Sequence, residues 1–228
     1  MIKFYFNLSP NPMKVVLLLE ELGVSYEPVP VDPRKGEQFA SDYLAVNPNA
    51  KVPAIIDGGA IVFDSNAILL YLAEKSGRFL PAPEQRAELL SWLMFVATGV
   101  GPYSGQAVHF RHFAPEHQEY GVNRYDFEVE RHYRIVDERL GKQRYMLGSD
   151  YTIVDMALWG WARLIPRALG SEDAWNRFPN VKRLHDEINA RPAYEGVQRL
   201  SEQYKFKTEW DEEARRHMFP QLARLGLK

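Results

Sequence analysis

Two polar side chains that can donate hydrogen bonds stand at the predicted start of the first helix. Ser9 and Asn11 alternate with Pro10 and Pro12, shortly after an apolar run at residues 2–6. A helix N-terminus carries a partial positive charge, so a hydroxyl and an amide placed there can bind an anion. Ser and Asn are also preferred N-cap residues, so either can simply cap the helix.

Cysteine is absent from all 228 residues. Disulfides, thiolate zinc sites and a protein thiol nucleophile are therefore excluded, and any reacting sulfur must come from a ligand. His109, His112 and His117 suggest a metal site, but no cysteine or well-spaced carboxylate completes a ligand set. A polar helix face is the simpler interpretation, and we expect no metal.

The composition narrows the class of partner. Lys and Arg total 28 against 30 Asp and Glu, and 46% of the residues are hydrophobic. This near-equality of charges and the hydrophobic content predict a soluble globular protein. Its electrostatic field should not attract nucleic acid or anionic membranes. We see no apolar run long enough to span a bilayer and no signal peptide, so we expect a cytoplasmic protein that acts on small molecules.

Strand and helix patterns alternate through residues 1–78. A helical crossover makes the first two strands parallel, and the Gly58-Gly59 turn makes the last two antiparallel. The predicted order is β-α-β-α-β-β-α. The strands are expected at residues 2–6, 26–31, 54–57 and 60–63, and the helices at 12–22, 38–46 and 65–75.

One glycine and two prolines between Gly77 and Pro83 break the pattern, so we predict a linker at residues 79–83. Residues 84–205 show only helical periodicity. Thr152 and Asp155 resemble a capping box at the start of one helix. The tail at 206–228 either docks as an extra element or is partly mobile. The predicted helical segments are 83–112, 115–140, 152–169, 179–190 and 192–204.

Several motifs together resemble the cytosolic glutathione transferases over residues 1–205, and the nu class in particular. This resemblance implies a thioredoxin-like first domain, an all-helical second domain, a homodimer and glutathione as cosubstrate, one or two molecules per subunit. The motifs are Ser9-Pro-Asn-Pro-Met-Lys14, Gly36-Glu-Gln-Phe39, Asn47-Pro-Asn-Ala-Lys-Val-Pro-Ala-Ile55, Asp64-Ser-Asn-Ala-Ile-Leu-Leu-Tyr-Leu-Ala73, Gly101-Pro-Tyr-Ser-Gly-Gln106 and Asn123-Arg-Tyr125.

The resemblance also implies roles for individual residues. Ser9 and Asn11 would stabilise the glutathione thiolate. The second substrate would meet Tyr103, Gln106 and His109. Glutathione itself would be bound by Gln38, Lys51, the main chain of Val52 before a cis-Pro53, Asp64, Ser65 and Arg124.

Each of these residues has a plainer interpretation. Asp64 and Ser65 can cap a helix, and Pro53 can be an ordinary trans proline entering an edge strand. Lys51, Gln38 and Arg124 can be solvated surface residues. The three residues of the 103–109 segment can be core or surface. Asp155 resembles a structural capping aspartate, whose loss would impair folding.

The leading functional hypothesis is a glutathione-dependent transferase with disulfide-bond reductase activity, of the nu-class disulfide-bond oxidoreductase type. Its thiolate would attack an electrophile or a disulfide. The alternative is a non-catalytic binding or regulatory module that keeps the fold, because fold alone does not establish function. A dehalogenase or isomerase variant of the same fold is a third possibility.

Overall fold

The computed structural model describes residues 1–225. They form two compact units, one containing residues 1–68 together with the chain from Glu195 onward, and the other containing Leu69–Tyr194. The division falls at Ile68–Leu69 rather than at the predicted linker of residues 79–83. The predicted domain limits therefore stay predictions.

A four-stranded sheet in the order β2-β1-β3-β4 forms the centre of the first unit. β1 pairs with β2 in parallel and with β3 antiparallel, and β3 pairs antiparallel with β4. The predicted strands and their directions are confirmed. Their bounds are β1 Ile2–Phe6, β2 Tyr26–Pro30, β3 Ala54–Asp57 and β4 Ala60–Phe63.

The first helix of this unit, α1 (Pro10–Leu22), begins two residues earlier than predicted. Its consecutive apolar residues from Val15 to Leu19 are all fully buried. At its C-terminal end Gly23 takes a left-handed conformation, with φ of 66°, that favours glycine.

The second predicted helix of this unit is shorter than the sequence pattern suggests. A 3₁₀ turn at Glu37–Phe39 is followed by α2 (Ser41–Leu44). Ala40 between them is extended, with ψ of 139°, and therefore interrupts the helical path. The helix α3 (Ser65–Ser76) then follows the sheet as predicted.

The second unit is helical, as predicted. The expected single helix over residues 83–112 is instead two helices joined by a π-helical turn at Val96–Val100. Pro102 lacks the N–H that would bond to the carbonyl four residues earlier, so regular α-helix cannot run through it. The helices are α4 Arg86–Phe95, α5 Gly101–His112, α6 Glu119–Leu140, α7 Ile153–Ala162, α8 Ile165–Leu169 and α9 Pro179–Asn189.

A capping box opens α7, as the sequence predicts. The side chain of Thr152 accepts a hydrogen bond from the N–H of Val154 at 3.3 Å, and Asp155 Oδ2 accepts from the N–H of Thr152 at 2.8 Å. Asp155 Oδ1 also accepts from the N–H of Met146 at 2.7 Å, and both Thr152 and Asp155 are fully buried. One carboxylate thus joins the helix start to the preceding loop.

The last helices, α10 (Ala193–Gln203) and α11 (Glu212–Met218), lead the chain back into the first unit. The rings of Tyr204 and Phe206 contact Phe6 edge-on, at centroid distances of 5.2 and 5.9 Å. The N–H of Lys207 donates to Asp32 Oδ2 at 2.7 Å. The tail therefore docks on the sheet unit over its described residues.

Candidate active site

The N-terminal turn of α1 has an unusual set of main-chain donors. Ser9 occupies the N-cap position, and Pro10, Asn11 and Pro12 form the first turn. Because proline has no N–H, Asn11 contributes the single N–H of these three residues. An anion at this helix end would meet that N–H and the polar side chains of Ser9 and Asn11.

Ser9 sits at the N-cap, but its side chain makes no capping hydrogen bond. Instead the hydroxyl donates to Asn7 Oδ1 at 2.5 Å, and the main-chain N–H of Ser9 donates to the same oxygen at 2.9 Å. Asn7 is 9% exposed, and it was not among the predicted site residues. An Asn two residues before a Ser is an Asx-turn pattern, and this signal could have identified it.

The peptide bond between Val52 and Pro53 is cis, as the resemblance implies. The β1–β3 pairing ends at Tyr5 and Ala54, so the main chain of Val52 lies just outside the ladder. Pro53 is buried whereas Lys51 is exposed. The segment before β3 therefore lies outside the pairing of β1 with β3.

Two buried side chains hold the segment before the cis-proline. The carbonyl oxygen of Lys51 accepts hydrogen bonds from Tyr43 Oη at 2.5 Å and from Asn47 Nδ2 at 2.6 Å. Asn47 Oδ1 also accepts from the N–H of Asn49 at 3.0 Å. Asn47 is 2% exposed, and it begins the motif at residues 47–55, for which no role of Asn47 was predicted.

Asp64 caps α3, which agrees with the plainer interpretation of this residue. Its Oδ1 accepts from the N–H groups of Asn66 and Ala67 at 2.8 and 3.2 Å, and its backbone has a φ of 70°. Ser65 follows it and is buried. The capping bonds use Oδ1 alone, so Oδ2 of this exposed carboxylate takes no part in the cap.

A buried lysine lies between α1 and α3. Lys14 Nζ donates to Asn66 Oδ1 at 2.8 Å, and no part of Lys14 is exposed to solvent. Burial lowers the pKa of the Lys14 ammonium from 10.5 to about 7, and the nearby Asp64 carboxylate opposes this shift. Lys14 therefore does not face solvent, and no function was predicted for it.

Gln38 is buried rather than being a solvated surface residue. Its Nε2 donates to the carbonyl oxygens of Pro33 and His217, at 3.3 and 3.2 Å. Oε1 is buried and has no hydrogen-bond partner among the described residues. Because both amide hydrogens are engaged, Gln38 cannot donate to a glutathione carboxylate in this conformation.

The docked tail accounts for the burial of Gln38. His217 in α11 accepts through its carbonyl from Gln38, and its Nδ1 lies 3.1 Å from the carbonyl oxygen of Arg34. Gly36 is at φ of 79°, and an added Cβ there would lie 3.0 Å from the His217 ring. The segment before α2 is thus covered by residues far away in the sequence.

The predicted site residues of the helical unit lie on α5 and α6. Tyr103, Gln106 and His109 follow one another at three-residue intervals on α5, so they share one side of that helix. Burial lowers the pKa of His109. On α6, Arg124 forms an ion pair with Glu128 one helical turn later. The arginine side chain is half-exposed, whereas the Glu128 side chain is buried.

Glu128 also accepts a hydrogen bond from Arg131 Nε at 2.9 Å, so two guanidinium groups share one carboxylate.

His112 Nε2 lies 2.8 Å from the carbonyl oxygen of Arg167. Within residues 1–225, no three His, Asp or Glu side chains are grouped closely enough to hold a metal ion. No helix in that range combines the length and hydrophobicity needed to cross a bilayer.

A thioredoxin-like unit with a cis-proline turn, followed by an all-helical unit, defines a thiol-handling class of protein. This chain belongs to the glutathione transferase family. Family profiles described as glutathione S-transferase N-terminal and C-terminal domains match residues 1–74 and 100–192. The resemblance read from the motifs is thereby confirmed at the level of the family.

Individual relatives agree with this assignment. The chain is 40% identical to disulfide-bond oxidoreductase YfcG of Escherichia coli, over 85% of this chain and 92% of that protein. A Pseudomonas fluorescens family member solved with two glutathione molecules is 37% identical, with a TM-score of 0.81 over 86% and 92% of the two chains. The URE2P6 glutathione transferase of Phanerochaete chrysosporium, solved with oxidized glutathione, is 33% identical, with a TM-score of 0.83 over 89% and 96%.

Proposed function

We propose that this protein is a nu-class enzyme that binds glutathione and uses its thiolate to reduce disulfide bonds. The observation that carries the proposal is the first turn of α1, where Asn11 offers a main-chain N–H and an amide side chain in a chain that has no cysteine. The names of the relatives support a reaction on disulfides.

The energetics of this turn are sufficient for thiol activation. An unperturbed thiol is mostly protonated at neutral pH, and lowering its pKa by about 2 units requires about 2.7 kcal/mol of preferential anion binding. A hydrogen bond to a charged acceptor contributes about 1.5–3 kcal/mol, and a helix N-terminus a further ~0.3–1 kcal/mol. The donor groups of Asn11 together with the end of α1 supply this range.

The remaining parts of glutathione are assigned by the same chemistry. The main chain of Val52 would pair with the cysteinyl portion, and the start of α3 would receive the γ-glutamyl carboxylate beside Ser65. Asp64 keeps an oxygen for the ammonium group, because its cap uses only Oδ1. Lys51 is exposed and would meet the glycyl carboxylate, whereas Gln38 is omitted because its amide hydrogens are engaged.

The assignments on the helical unit remain part of the proposal. Tyr103, Gln106 and His109 would contact the second substrate from one side of α5. Arg124 would bind a glutathione carboxylate only by exchanging it for Glu128, its present ion-pair partner. The similar charge of the two carboxylates makes such an exchange chemically reasonable.

Reduction would use two glutathione molecules. The first thiolate attacks one sulfur of the substrate disulfide, forms a mixed disulfide and releases a substrate thiolate, which takes up a proton. A second glutathione thiolate attacks the glutathione sulfur of that mixed disulfide. The products are oxidized glutathione and a second substrate thiolate, so the substrate gains two electrons and two glutathiones lose one each.

A cytoplasmic homodimer is also proposed. On the edge strand β4, Ile61 and Phe63 are 49% and 44% exposed, and covering such apolar side chains would favour association. Light scattering from the purified protein would measure the mass in solution. A monomer at micromolar concentration would contradict the dimer.

The test of activity is glutathione-dependent reduction of bis-hydroxyethyl disulfide. We expect turnover well above the uncatalysed rate, and we expect Asn11→Ala to lower kcat/KM by about 10- to 100-fold through loss of a charged hydrogen bond. Asn176→Ala, at an exposed asparagine in the helical unit, serves as the matched control and should leave the rate unchanged.

The alternative function is a non-catalytic binding or regulatory module. It would bind glutathione tightly without turning over disulfides or electrophiles. Calorimetry of glutathione binding, run beside the activity assay, separates the two. Failure of the protein to bind glutathione at all would contradict both functions.

A further inference from the structure

The hydrogen-bonding state of Ser9 follows from its two contacts with Asn7. The main-chain N–H of Ser9 can only donate, so the Asn7 atom at 2.9 Å from it must be the amide oxygen. The same oxygen lies 2.5 Å from Ser9 Oγ. Two oxygens at that distance require a hydrogen between them, and the hydroxyl is the only group of the pair that has one.

We propose that Asn7 is a positioning residue that holds the hydroxyl hydrogen of Ser9, so that Asn11 alone provides the side-chain hydrogen bond to the glutathione thiolate. This inference rests on the proposed function. A serine hydroxyl carries one hydrogen, and once Asn7 accepts it, Ser9 presents only lone pairs to an approaching anion.

Asn7 therefore keeps the pKa of the bound thiol higher than it would be if Ser9 donated to the sulfur. Lone pairs on Ser9 Oγ do not stabilise a thiolate, whereas a donated hydroxyl hydrogen would, and hydrogen bonds to charged acceptors are the stronger ones. Removing the amide oxygen of Asn7 would free the hydroxyl to rotate and donate to the sulfur. The effect of any change at Asn7 should then depend on the presence of Ser9.

The measurement is the pKa of the glutathione thiol in the saturated complex, followed by the ultraviolet absorbance of the thiolate as the pH is varied. We expect Ser9→Ala to leave the thiolate fraction within about twofold of that of the unmodified protein. We expect Asn7→Ala to raise the thiolate fraction at acidic pH about tenfold, equivalent to one pKa unit. The double variant Asn7→Ala/Ser9→Ala should lose this gain.

A matched variant separates the hydrogen bond from the packing of the turn. Asn7→Asp keeps an oxygen that accepts from both groups of Ser9, and it adds a negative charge. It should show no gain in thiolate and a raised thiol pKa, because the charge opposes ionisation. A gain in thiolate in Asn7→Asp would contradict the inference.

Several outcomes would overturn the proposal. An effect of Ser9→Ala as large as that of Asn11→Ala would show that the hydroxyl already donates to sulfur, and this comparison decides the matter even if Asn7→Ala does not fold. An unchanged thiol pKa in folded Asn7→Ala would also overturn it. If the unmodified protein binds no glutathione, or leaves its thiol pKa unchanged, the proposed function fails together with the inference.

Discussion

The ammonium group of Lys14 and the amide oxygen of Asn66 lie 2.8 Å apart, and this hydrogen bond joins α1 to the first turn of α3. Lys14 is fully buried, and Asn66 is 3% exposed. The two helix starts that would bind the sulfur and the γ-glutamyl group of glutathione are thus connected by one buried, titratable side chain.

The burial of Lys14 predicts a pH dependence of stability. Its pKa is about 7 in the folded protein against 10.5 ordinarily, so between these values the unfolded chain binds more protons. The free energy of unfolding should therefore rise with pH across this window, by up to about 1.4 kcal/mol per pH unit from this group.

The variant Lys14→Met has no titratable amine at this position and therefore lacks its pH-dependent contribution to the free energy of unfolding. We expect its unfolding free energy, measured by urea denaturation between pH 7 and 10, to rise less steeply than that of the unmodified protein. Lys205→Met, at an exposed lysine, is the control and should retain the original slope. Identical slopes for Lys14→Met and the unmodified protein would show that the buried amine does not titrate in this range.

Asp155 is predicted to be a stability residue with no role in chemistry. Its carboxylate accepts from the N–H groups of Met146 and Thr152 and from the Thr152 hydroxyl, all buried. Asp155→Ala would leave these donors unsatisfied, and we expect a loss of about 3 kcal/mol or more in chemical denaturation. Asp150→Ala, at an exposed aspartate nearby, should change stability by less than about 0.5 kcal/mol.

Asn47 is predicted to support glutathione binding through the segment before the cis-proline. Asn47→Ala removes the donor to the Lys51 carbonyl and the acceptor for the Asn49 N–H, so Val52 is held less firmly. We expect the KM for glutathione to rise about 5- to 10-fold, equivalent to roughly 1 kcal/mol, with a smaller change in kcat.

The control for this variant is Asn49→Ala, which keeps the main-chain N–H that donates a hydrogen bond to Asn47 Oδ1. Its KM should stay within about twofold of that of the unmodified protein. If both variants behave alike, the hydrogen bonds of the Asn47 side chain do not position the segment.

We predict that docking of the tail depends on Asp32. This residue is 4% exposed, and its carboxylate accepts from the N–H groups of Lys207 and Arg34. In Asp32→Ala we expect trypsin to cleave after Lys205 or Lys207 about tenfold faster, because loss of one charged hydrogen bond favours local opening. Asp42→Ala, at an exposed aspartate, should show the original cleavage rate.

Much of the fold could be predicted because the signals are local. The order of strands and helices, the hairpin at Gly58-Gly59 and the capping box at Thr152 and Asp155 each follow from residues within a few positions of one another. Helix interruptions were harder to predict. The break before Pro102 and the extended Ala40 are set by one residue's backbone, which apolar periodicity over a longer window does not register.

The sequence by itself determined that any reacting sulfur must come from a ligand, and its motifs predicted a site around Ser9, Asn11 and Pro53. Only the tertiary structure decided that α11 covers Gln38 and that Lys14 meets Asn66. The physical reason is that residue types and short spacings define which groups can donate or accept. Which partner each group reaches depends on how helices and turns distant in the chain pack together, as the 52-residue separation of Lys14 and Asn66 illustrates.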